Sequence, residues 1–63
     1  MPYVIVRNDG AFVAPAGSRS SYVWALQRAR IFSTQEAAER DLCPENETVQ
    51  SVDDCLARGT RAR

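Results

Sequence analysis

Two apolar runs divided by one tight-turn signal constrain this chain more than any other feature. Tyr3-Val4-Ile5-Val6-Arg7 is aromatic and β-branched, Asn8-Asp9-Gly10 supplies turn residues, and Ala11-Phe12-Val13-Ala14 resumes the apolar pattern until Pro15 ends it. This order predicts a β-hairpin. Only 63 residues are available to build on it, near the lower limit for folding alone, where a chain buries only about 60% of its unfolded surface. A single domain over 1–63 is expected, with 60–63 as a frayed tail. A cleft of roughly 300 Å³ would consume much of so small a core, so function is expected on the outer surface.

Residues 15–21 form the most loop-like segment, punctuated by Pro15 and Gly17. The stretch from Tyr22 to Phe32 admits two readings. Tyr22, Trp24 and Leu26 alternate as on a strand, while Tyr22, Leu26 and Ala29 also fall at helical spacing. A strand at 22–26 with a short extended piece at 30–32 is the favoured reading. Ser33-Thr34-Gln35-Glu36 then fits a capping box, with Ser33 accepting from an early backbone N–H and Glu36 reaching back. A helix over 35–42 follows, with Ala38 and Leu42 on one face and Pro44 as its stop. Residues 48–51 read as a strand. A short helix is expected from Val52 to Arg58, with Ser51 as N-cap, Asp53 and Asp54 at its positive end, and Gly59 as stop. The fold class is therefore α+β: a small antiparallel sheet of three to four strands, one main helix near 34–43 and a short C-terminal helix.

Charge is sorted along the chain although the formal net charge is zero. From Glu36 to Asp54 lie Glu36, Glu39, Asp41, Glu45, Glu47, Asp53 and Asp54 against the single base Arg40, a local charge of −6. Residues 1–32 carry +3, and Arg58, Arg61 and Arg63 add another +3. A one-sign patch focuses its field and steers association, so the seven acids are the candidate partner-binding surface. The bland alternative for such a run is a solvated face.

The composition narrows the chemistry. No histidine is present, which removes the commonest general base, and an enzyme is not expected. Cys43 and Cys55 are the only soft ligands, too few for a structural zinc site, so no metal and no cofactor are expected. The two thiols read first as buried side chains. A Cys43–Cys55 disulfide is the alternative, because each adjoins a helix end and a small chain gains from a staple, although a reducing cytosol opposes it. Every basic residue is arginine, suited to bidentate pairing with carboxylates or phosphates. Zero net charge and the acidic block nevertheless disfavour direct nucleic-acid binding. Tyr22, Trp24 and Phe32 could stack bases, but at strand spacing they read first as core. Asn46-Glu47-Thr48 matches a glycosylation sequon that has no meaning without a secretory signal. The longest apolar run, Tyr22 to Leu26, is far short of the ~20 residues of a membrane span. With no basic segment at Met1-Pro2-Tyr3, a cytoplasmic protein and no membrane partner are expected, as a monomer or weak homodimer.

The layout as a whole resembles small phage and prophage open reading frames of similar length, some of which are anti-CRISPR inhibitors. The resemblance is carried by the strand Tyr3 to Arg7, Gly10-Ala11-Phe12-Val13-Ala14, Pro15-Ala16-Gly17-Ser18, Ser21-Tyr22, the run Ala29 to Glu39 and Glu45-Asn46-Glu47-Thr48-Val49. No functional residue is carried over from it. It implies a non-catalytic inhibitor acting in the host bacterial cell on a protein or nucleoprotein complex, a CRISPR effector above all. Many such inhibitors resemble DNA mimics, with carboxylates placed where phosphates would bind. A phage accessory module, a small arginine-based nucleic-acid binder and a disulfide-linked dimer stand as alternatives.

Overall fold

A computed structural model describes residues 2–57 of the chain; the expected roles of Arg58 and Gly59 at the last helix end, and the tail at 60–63, lie outside the described residues. The elements run β1 (Tyr3–Arg7), β2 (Phe12–Val13), β3 (Tyr22–Val23), a 3-10 turn (Leu26–Arg28), α1 (Gln35–Asp41), β4 (Glu47–Ser51) and α2 (Val52–Ala57). They form a four-stranded sheet of order β3-β2-β1-β4, antiparallel at every pairing. With its one principal helix and short final helix, this is the α+β arrangement the pattern predicts.

The hairpin forms where the turn signal lies. Gly10 N–H donates to Arg7 O at 2.8 Å and Arg7 N–H to Ala11 O at 2.7 Å. Gly10 sits at φ 99°, a backbone that a side chain would strain. The Asp9 carboxylate accepts Arg7 Nε at 2.9 Å, Arg7 Nη2 at 2.8 Å and Ala11 N–H at 3.2 Å, tying the turn to both strands.

The unbroken apolar run in β1 has a direct cause: both faces of the sheet are covered. Val4 and Phe12 pack with Ala29 and Cys55 on one face, joined by Val6, Val23, Leu26 and Val52. Ile5 packs with Phe32 and Ala38 on the other, joined by Tyr3, Val13, Ala37, Leu42 and Val49. Thus α2 and the 3-10 turn cover one side and α1 the other, with β1 central between them. Val4 and Ile5 are fully buried, and each such side chain contributes about 1.5–3 kcal/mol. Strand alternation sends successive residues of β1 into opposite clusters, so one short strand anchors both cores.

Three local expectations are corrected. The strand expected at 22–26 stops at Val23, because Leu26–Arg28 turns as a 3-10 helix. That turn brings Leu26 and Ala29 under Phe12, so strand and helical spacing each described part of the segment. Trp24, expected in the core, is 63% exposed. The helix cap is Thr34 instead of Ser33: Thr34 Oγ1 accepts from Ala37 N–H at 3.1 Å. Phe32 exchanges two backbone hydrogen bonds with Tyr3, both 2.8 Å. The chain is therefore still extended at residue 32, and the helix opens one residue later than the capping box implies. The extended piece at 30–32 is as expected, with Arg30 N–H donating to Val13 O at 2.9 Å. At α2 the expected cap holds, Ser51 Oγ accepting from Asp54 N–H at 3.0 Å.

Candidate functional site

The seven carboxylates do not share one surface. Glu47 is a correction to the expected docking set, being only 6% exposed. In β4 it stands opposite Arg7 on the α1 side of the sheet. Its Oε1 accepts Cys43 N–H at 2.9 Å and its Oε2 accepts the Tyr22 hydroxyl. A buried carboxylate without such donors would be costly, so this pairing is what lets the residue stay inside. The donated hydrogen bond raises the Tyr22 pKa above its ordinary value of 10.0, and burial and the Glu47 charge act in the same direction. The Arg7 guanidinium lies 4.0 Å from the Tyr22 ring centre while holding Asp9 in a bidentate pair. Its hydrogen bonds to Asp9 raise the Arg7 pKa, and they lower that of Asp9 with help from the Ala11 amide. The network Asp9–Arg7–Tyr22–Glu47–Cys43 thus ties the hairpin, β3, β4 and the end of α1 together.

Asp41 is also engaged, paired with Arg30 at 2.9 Å, and the same guanidinium lies 4.8 Å from the Phe32 ring centre. The other five, Glu36, Glu39, Glu45, Asp53 and Asp54, are exposed. None of the five makes an ion pair among the described residues, whose two pairs are Arg7–Asp9 and Arg30–Asp41. Glu36 and Glu39 stand on α1 and Asp53 and Asp54 on α2, so they straddle the sheet on opposite sides of edge strand β4. A shallow open groove runs along that edge, lined by Tyr3, Gln35, Thr48, Gln50, Ser51 and Asp54. Gln35, which lines this groove, donates through Nε2 to Glu39 Oε2 at 3.1 Å, one turn along the same side of α1.

At the opposite end of the sheet, Arg19 and Arg28 line a second groove with Ser18, Ser20 and Gln27. The sorting of charge along the sequence therefore becomes a sorting across the sheet, acids about β4 and arginines about β3. Neither cysteine is in a disulfide: Cys43 is exposed, and Cys55 is buried with its Sγ donating to Gln50 Oε1 at 3.5 Å. The disulfide considered from sequence is not formed: Cys55 is packed under Val4 and Phe12, whereas Cys43 follows α1, which covers the other face. Among the described residues no group of three or more His, Cys, Asp or Glu side chains is arranged to hold a metal ion, and no helix is long and apolar enough to cross a membrane. Compared with known proteins, the chain matches no family model, no curated protein and no solved structure.

Sequence reasoning missed the Tyr22–Glu47 pair, whose partners are 25 residues apart. It also missed the β4 groove, because strand order decides which strand is an edge. A usable signal did exist for Glu47, since it alternates with Val49 and so shares that residue's face.

Proposed function

We propose that this protein is a non-catalytic inhibitor that docks through exposed carboxylates on a basic, nucleic-acid-reading surface and competes there with DNA. The partner implied by the resemblance to small phage proteins is a host CRISPR effector complex in the bacterial cytoplasm. The observation that carries the reading is that Glu36, Glu39, Glu45, Asp53 and Asp54 are exposed and make no ion pair among the described residues. Surface carboxylates held by no arginine among the described residues are available to arginines and lysines of a partner.

The test is competition between this protein and DNA for a purified effector. Inhibition is expected to weaken steeply with salt, because exposed charges are screened beyond about 8 Å at physiological ionic strength. The triple variant E36Q/D53N/D54N is expected to stay folded and to bind about tenfold more weakly, with a melting temperature lowered by the loss of favourable first-turn charge on α1 and α2. An affinity indifferent to both salt and the triple variant refutes the reading. Arg19 and Arg28 favour a second reading, an arginine-based nucleic-acid binder. It would instead show oligonucleotide binding that is lost in R19Q/R28Q and kept in the acidic variant.

A further inference from the structure

We propose that β4 accepts a basic extended segment of the partner as an added fifth strand. The basic character of that segment rests on the acidic-surface reading above; the geometry of addition does not. Among the described residues, sheet order leaves β4 at an edge, with all five of its residues in register with β1 on the inner side. Tyr3 and Arg7 turn their backbone groups away from β4, toward Phe32 and Ala11. By the alternation of an antiparallel ladder, Val4 and Val6 then bond inward to Gln50 and Thr48, and the N–H and C=O of Val49 face the open edge. Glu47 also faces outward, but its N–H is taken by Cys43 O at 3.0 Å.

A row of outward backbone groups is a template for strand addition, and addition supplies affinity through main-chain hydrogen bonds. The side-chain preference comes from what flanks the edge. Glu39 is hydrogen-bonded to Gln35, which lines the groove from α1, and Asp54 lines it from α2 on the opposite face. Successive side chains of an added strand point to opposite faces. Two adjacent arginines or lysines would therefore place one cation beside each carboxylate. Charge complementarity on both sides of an open edge selects a basic strand over an acidic or apolar one.

The probe is a six-residue peptide with two central arginines flanked by valine and threonine, titrated into the full chain. Amide hydrogen exchange is followed by NMR. Val49 exchange is expected to slow at least tenfold at saturation, and E39Q/D54N is expected to weaken binding about tenfold. A peptide of equal charge with an N-methylated backbone is expected to leave Val49 exchange unchanged. Binding that responds to E39Q/D54N without protecting Val49 overturns strand addition and leaves the acidic surface standing. Protection of Val49 with an affinity indifferent to E39Q/D54N and to salt overturns the acidic reading and with it the basic occupant. A Val49 amide already protected in the dilute free chain means the edge is filled by the chain itself, and protection that grows with protein concentration means a second copy fills it. Either result, or failure of the peptide to bind, overturns the proposal.

Discussion

Replacing Thr34 with alanine is expected to lower the melting temperature by about 7–8 °C, while Ser33→Ala leaves it nearly unchanged. Thr34 is the N-terminal side-chain cap of α1, its Oγ1 accepting from Ala37 N–H at 3.1 Å from an extended backbone at φ −136° and ψ 156°. Loss of such a cap costs about 1 kcal/mol. Helix α1 has seven residues, too few to persist without tertiary support, so its first turn cannot be lost without loosening Ala37 and Ala38 from Ile5 and Phe32. At about 2.1 cal/mol/K per residue, a chain of this length has an unfolding entropy of about 0.13 kcal/mol/K, and about 1 kcal/mol converts to the stated shift. Total stability is expected at only about 3–9 kcal/mol, so the loss is a substantial fraction of it. Ser33 is exposed and makes no cap bond, so its truncation stays within about 0.5 kcal/mol. Thermal melts followed by circular dichroism at matched concentration and scan rate measure both. A larger shift for Ser33→Ala than for Thr34→Ala would refute the assigned helix start.

Two further predictions concern the network and the thiols. Tyr22 is expected to titrate above 10.0 in phenolate absorbance recorded in a Tyr3→Phe background, and to fall back toward that value in Glu47→Gln, which removes the carboxylate charge. Because the folded state raises this pKa, the stability linked to it is fully present below pH 10 and lost as pH rises through the folded value; a melting temperature insensitive to alkaline pH would count against the contact. In a thiol titration the native protein is expected to react rapidly at Cys43 alone, with Cys55 reacting only after denaturation. No reaction before reductant would instead reveal a disulfide.

Much of the architecture was legible from residue order because it rests on local chemistry. The hairpin follows from Asn8-Asp9-Gly10, the second helix cap from Ser51, and the end of α1 from Pro44 a few residues on, each acting on neighbours in the chain. Acidic enrichment was equally plain, since composition needs no fold to be read. The sequence by itself therefore determined the α+β pattern, the apolar first strand and the supply of seven carboxylates between Glu36 and Asp54. Only tertiary structure decided where the acids point. Glu47 turned inward because the register of β4 against β1 set it on a covered face within reach of Tyr22, and Asp41 was claimed by Arg30 across the packing of α1. The helix start moved to Thr34 because Phe32 was first needed as a sheet partner for Tyr3. The acid-flanked edge at β4 arose only from strand order, a long-range pairing between the first and last strands of the chain that local propensity does not encode.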